Sequence, residues 1–146
     1  MIVGLDWDGT CSHTPHGIDM DDAQALLAHC RPNQAVLDRC VELSLGGHEL
    51  VVITARGPHV AHATAAQVDE WIHEAGGQVR HIRHRPRLLF DMSHYVPDKE
   101  ASLRELGVEI YIGDRREDRA AALRAGARFL WPHQLVEHGL AAPQGA

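Results

Sequence analysis

Three apolar runs in this 146-residue chain each end in side chains able to do chemistry. Ile2-Val-Gly-Leu5 delivers Asp6 and Asp8 and turns away at Gly9-Thr10; Glu49-Leu-Val-Val-Ile53 delivers Thr54 and Arg56; Val108-Glu-Ile-Tyr-Ile112 delivers Asp114, with Asp118 four residues on. Carboxylates are costly to bury unpaired. Asp6 and Asp8 therefore call for a cation or a reacting group, or, in the plainer reading, are strand-end turn residues beside Gly9. Asp114 and Asp118 offer the hard oxygen donors that Mg2+ takes, although Asp118 also suits a helix cap. Of the fourteen basic residues only Lys99 is a lysine, which points to a compact charge that a guanidinium fork cannot replace, or to a chance survivor.

The elements that position these groups are legible from hydrophobic period. The three runs, with Gln78-Val-Arg-His-Ile82 and Ala127-Arg-Phe-Leu-Trp131, read as five strands. Between them the spacing predicts a helix of two or three turns after the acidic cluster at Asp19, Asp21 and Asp22, and one capped by Asn33 running to Leu45. Further helices are predicted over 59–75, over 99–106 with Asp98 as cap, after Asp114, and over 133–139. Strands alternating with helices make an α/β, doubly wound, Rossmann-like parallel sheet, whose ligands bind at the strands' carboxyl ends. Residues 1–139 form one domain and 140–146 a loose tail.

Composition bounds the function. A chain of this length buries about two thirds of its unfolded surface, enough for a core of its own. Cys11, Cys30 and Cys40 are odd in number and irregularly spaced, which argues for a reducing compartment. With no basic leader and no membrane-length apolar stretch, a soluble cytoplasmic protein is expected. The net charge of -6 gives no global attraction to nucleic acid, so any such contact needs a local patch. Arg80, Arg83, Arg85 and Arg87 supply either that anion-binding surface or a solvated, charge-guarded edge. His59 and His62 can share a helix face and ligate a metal, or simply be solvated; no further ligands at zinc spacing accompany them.

Asp6-Trp-Asp8-Gly9-Thr10, the strand ending in Thr54, Lys99, and Gly113-Asp114 with Asp118 together resemble, in order, the four motifs of the haloacid dehalogenase-like phosphohydrolases. The resemblance spans almost the whole chain. It implies a strand order of 5-4-1-2-3, with Asp6 as nucleophile, Asp8 as general acid and base, and Thr10 and Thr54 on the phosphoryl group. It implies Lys99 as neutralising cation, and Mg2+ held by Asp6, the Asp8 main-chain carbonyl, Asp114 and Asp118. The dehalogenases of this family lack the second Asp, so Asp8 implies phosphoryl transfer. A receiver domain would need its acceptor Asp at the third strand's end, where this sequence has none.

No substantial cap domain fits in the chain, so the cleft is expected to be open, suiting a bulky substrate end or closure by a second subunit in a homo-oligomer. The run through Thr54-Ala-Arg56, the Trp71 helix and the basic segment is similar to the phosphatase domain of polynucleotide kinase 3'-phosphatases, which implies a nucleic-acid 3'-phosphate end, with Arg56, Arg83, Arg85 and Arg87 on the phosphate backbone. The chain departs from that domain in its spaced, rather than adjacent, Asp114 and Asp118 and in its net acidity. The alternatives are a small-molecule phosphatase for a nucleotide or sugar phosphate, and a non-catalytic phosphate-binding regulatory module on the same fold.

Overall fold

The computed structural model describes residues 1–86 and 98–143. Its elements are β1 (Ile2–Leu5), β2 (Ser12–His13), α1 (Ala23–His29), β3 (Arg31–Pro32), α2 (Gln34–Leu45), β4 (Glu49–Ile53) and α3 (Ala61–Val68). There follow β5 (Val79–Arg83), α4 (Glu100–Glu105), β6 (Ile110–Ile112), α5 (Arg116–Arg124), β7 (Arg128–Leu130) and α6 (Pro132–His138).

β1, with no polar side chain, is the central strand, flanked by β4 on one side and β6 on the other. The five-stranded sheet is parallel throughout, in the order β5-β4-β1-β6-β7. Two short strands absent from the sequence reading, β2 and β3, pair antiparallel outside this sheet and shift its numbering. With them set aside, the order is the implied 5-4-1-2-3 read from the opposite edge. Alternate side chains enter separate cores. Val3, Leu5, Leu50 and Val52 meet Leu37 and Cys40 of α2, whereas Val51, Ile53 and Phe129 meet Leu103 of α4 and Ala121 of α5. Each buried aliphatic side chain of this size contributes about 1.5–3 kcal/mol.

Several local expectations change. The helix expected over 59–75 is broken into a 3-10 turn (Pro58–Val60), α3, and a π-helical turn (Asp69–His73). Asn33 makes no capping bond; its amide donates instead to the Thr10 carbonyl at 3.0 Å, tying α2 to the loop after β1. Lys99 precedes α4 rather than lying in its first turn, while Asp98 accepts from the Glu100 N–H at 3.0 Å. Residues 140–142, expected as part of a loose tail, are tied down. Arg128 donates to the carbonyls of Leu140 and Ala142, and Ala142 is buried in the main core. Between β1 and α2 there is room only for β2, α1 and β3, not for a cap domain. No helix among the described residues is long and apolar enough to cross a membrane.

Candidate active site

Trp7 sets the geometry of the first motif. Its buried indole donates to Gln67 Oε1 at 3.0 Å and stacks on Trp71, with ring centroids 5.6 Å apart. This anchor pins the chain between Asp6 and Asp8. The Asp6 N–H still donates to the Ile112 carbonyl, so its carboxylate emerges rigidly at the carboxyl edge of the sheet. Gly9 then turns the chain at φ +82°, where a Cβ would lie 2.0 Å from Asp114 Oδ2. The glycine is thus required twice, for the turn and for the approach of the fourth motif.

Asp6 is nearly buried, and both its oxygens are engaged. Oδ1 accepts from Lys99 Nζ at 2.7 Å and Oδ2 from Thr10 Oγ1 at 3.3 Å. Burial pushes its carboxyl up to about 6; Lys99 opposes the rise and the neighbouring Asp114 adds to it. Lys99 has two further partners, Asp118 Oδ1 at 3.1 Å and the Tyr111 hydroxyl at 2.9 Å. Burial disfavours its ammonium, but Asp6, Tyr111 and Asp118 outweigh that and hold its pKa well above the usual lysine value. Tyr111 was not among the sequence candidates, being hidden in an apolar strand. Its hydroxyl donates to the Ile53 carbonyl at 3.1 Å, which turns an oxygen lone pair toward Lys99. Gly4 makes room for its ring, since a Cβ there would come within 2.8 Å of Tyr111 Cδ1.

Asp8 is held differently. Arg56 grips it with Nε to Oδ2 at 2.9 Å and Nη2 to Oδ1 at 2.8 Å, and Thr14 Oγ1 donates to Oδ1 at 2.6 Å. Arg56, expected on a nucleic-acid backbone, is instead fully buried, with Nη1 on Thr64 Oγ1 at 3.3 Å. Thr54 is buried at the end of β4, where its hydroxyl accepts from the Arg56 N–H at 3.1 Å and so keeps its own proton to donate.

Asp6, Asp114 and Asp118 each bring a carboxylate oxygen within 4.8 Å of the others. Burial and then Asp6 raise the Asp118 pKa, and Asp114 Oδ1 is buried without a hydrogen-bond partner among the described residues. Three converging carboxylates and an orphaned oxygen fit a hard divalent cation such as Mg2+. Asp118 also caps α5, accepting the Arg115 N–H at 3.3 Å, as its capping reading expects. His59 lies outside this cluster, with Nε2 2.8 Å from Asp21 Oδ1.

The cleft over these groups has a volume of about 280 Å³ and is lined by Asp6, Asp8, Lys99 and Asp118, with Arg85, Arg115, Asp21 and Met20 around its mouth. The basic segment divides. Arg80 pairs with Glu49 at 3.0 Å and Arg83 with Glu105 at 2.6 Å, while Arg85 lines the cleft. Arg87 lies outside the described residues.

No family model matches the chain, and no curated protein matches its sequence. Solved structures do match its fold. A D,D-heptose 1,7-bisphosphate phosphatase from B. bronchiseptica, complexed with magnesium and phosphate, is similar at 19% identity and a TM-score of 0.66, covering 88% of this chain and 78% of that one. A chain of the Pnkp1/Rnl/Hen1 RNA repair complex matches at 17% identity and a TM-score of 0.66, over 89% of this chain and 41% of the longer one. A 3-deoxy-D-manno-octulosonate 8-phosphate phosphatase from Moraxella catarrhalis, with magnesium, phosphate and KDO, matches at 22% identity and a TM-score of 0.53, covering 86% of this chain and 63% of that one. The fold is therefore one used by phosphatases, in keeping with the motif resemblance.

Proposed function

We propose that the chain is a Mg2+-dependent phosphomonoester hydrolase acting through an aspartyl-phosphate on Asp6. The observation that carries this reading is the Asp6 carboxylate, fixed at the strand end between Lys99 and Thr10 and facing a cleft that also holds Asp8. One Asp6 oxygen attacks phosphorus in line, forming the acyl phosphate as the bond to the leaving oxygen breaks. Asp8, aimed by Arg56, enters this step in its acid form, with one oxygen carrying the proton and the other still held by the guanidinium, and gives that proton to the leaving oxygen. Asp8 then takes a proton from water, which attacks phosphorus, releases inorganic phosphate and restores Asp6. Lys99 holds charge beside the reacting oxygens throughout, and the Thr54 hydroxyl is available to a phosphoryl oxygen. Asp6, Asp114 and Asp118 would hold Mg2+, with the Asp8 main-chain carbonyl as the motif resemblance implies; when bound, the ion supplies Lewis-acid neutralisation of the phosphoryl oxygens. A non-catalytic phosphate-binding module would have no need of an acid so deliberately oriented as Asp8.

For the substrate, a small phosphate ester fits the cleft best, because of the described residues of the basic segment Arg85 lines the cleft, while Arg80 and Arg83 lie outside its lining, beside Glu49 and Glu105. A nucleic-acid 3'-phosphate end is the second reading, favoured by the absence of a cap between β1 and α2. The test is hydrolysis of p-nitrophenyl phosphate, sugar phosphates, mononucleotides and a 3'-phosphorylated oligonucleotide, with and without Mg2+. Mg2+-dependent release of phosphate supports the reading; no release from any of them refutes it.

A further inference from the structure

The cleft has a second feature besides the phosphoryl site. The β4–β5 ladder continues past the strand ends, with the Thr54 N–H donating to the Arg83 carbonyl at 3.0 Å and the Arg85 N–H to the Arg56 carbonyl at 3.1 Å. Backbone bonding thus fixes Arg85 to the same wall as Arg56. Its side chain, only 15% exposed, lines the cleft alongside Asp6 and Lys99. Across the mouth, Asp21 places Oδ1 3.5 Å from Arg85 Nη2 and 2.8 Å from His59 Nε2. One carboxylate from the segment before α1 therefore bridges two basic side chains from two other elements. Gly57 lies beneath them, where a Cβ would come 2.5 Å from the His59 ring and 3.1 Å from Arg85 Nη2.

Arg85 and His59 thus converge on one carboxylate of the chain itself. The Asp21 side chain is 66% exposed, so its hold is weak and open to competition. A phosphate group offers more acceptor oxygens than a carboxylate in the fork geometry that Arg prefers. Resting on the hydrolase reading above, we infer that Arg85, with His59, binds a second phosphate of the substrate at the cleft mouth, displacing Asp21. The preferred substrates then carry two phosphates, the scissile one on Asp6 and another that is kept.

The test compares kcat/KM for paired substrates in the full chain with Mg2+: a sugar bisphosphate against its monophosphate, and a 3'-phosphorylated dinucleotide against the 3'-phosphorylated mononucleoside. Whichever pair shows the preference identifies the source of the second phosphate. Arg85→Ala is expected to lower the two-phosphate to one-phosphate ratio about tenfold or more, the scale of one charge-assisted hydrogen bond. Asp21→Asn is expected to raise it a few-fold, and to lose that gain in the double variant. Ratios unchanged by Arg85→Ala for both pairs would overturn the inference. If the wild type hydrolyses nothing, the hydrolase reading fails, and calorimetric titration of the two-phosphate ligands still tests the subsite. Binding at least tenfold weaker to Arg85→Ala upholds it; equal affinity overturns it.

Discussion

Arg56 and Asp8, 48 residues apart, meet in a two-pronged ion pair whose guanidinium is fully buried while the carboxylate remains partly open to the cleft. The arginine is satisfied on its other side by Thr64. It therefore serves Asp8 rather than solvent, and fixes the carboxyl at the edge of the cleft.

Replacing Arg56 with Lys keeps a charge but removes the fork. The expected loss is about 10²-fold in kcat on alkyl phosphates, the scale of general acid catalysis. It should be much smaller on p-nitrophenyl phosphate, whose leaving group departs without a proton. An equal fall on both esters would mean that Arg56 supports the fold and not the acid.

For the nucleophile, Asp6→Asn should abolish turnover while far-UV circular dichroism stays native, since the amide preserves shape but not nucleophilicity. Turnover at the wild-type level in the purified variant would rule out the aspartyl-phosphate.

Lys99 donates to Asp6, Asp118 and Tyr111 from one compact ammonium. Arg cannot reproduce three short, divergent contacts in a buried site. Lys99→Arg is expected to cost about 10²-fold or more in kcat/KM, and a variant within about threefold of wild type would make the lone lysine a chance survivor.

What the sequence showed of this site was local: carboxylates behind apolar runs, a hydroxyl at a strand end, a single lysine. Those signals place Asp6, Asp8, Thr54, Lys99, Asp114 and Asp118 at one sheet edge. What it hid was pairing over distance. Nothing near Arg56 announces Asp8 as its partner, and Tyr111 reads as one more apolar strand residue until its hydroxyl is seen on Lys99. The basic run at 80–87 left two readings open because its partners are remote in sequence: Glu49 and Glu105 pair with Arg80 and Arg83, whereas Arg85 lines the cleft. Asn33 carried a capping signal that the Thr10 carbonyl claimed first.

Mg2+ affinity should depend on pH through Asp6. Its carboxyl is raised in the folded protein to about 6, from an ordinary value near 4, chiefly by burial. A raised folded-state pKa means that the metal-free native state binds a proton more readily than the unfolded chain, so this group favours folding below about pH 4 and loses that contribution as pH rises through 6. The metal requires the deprotonated form. The Mg2+-induced rise in Tm is therefore expected to be small at pH 5 and larger at pH 7.5. A rise independent of pH would remove Asp6 from the metal set.

Gly9→Ala tests the junction between the first and fourth motifs. The added methyl meets two obstacles: a backbone at φ +82°, and Asp114 Oδ2 only 2.0 Å from its position. The first costs about 1–2 kcal/mol, because L residues disfavour that region. The second must push Asp114 away from Asp6 and Asp118, the residues with which it clusters. The variant should fold with a lower Tm, and the Mg2+ concentration giving half-maximal activity should rise about tenfold or more, the scale on which disturbing a supporting contact weakens a metal site. Saturating Mg2+ should recover much of the rate, because Asp6, Asp8 and Lys99 are not displaced directly. If the Tm falls while the Mg2+ requirement stays at the wild-type level, the glycine serves the turn alone and Asp114 has room to move without loss of the ion.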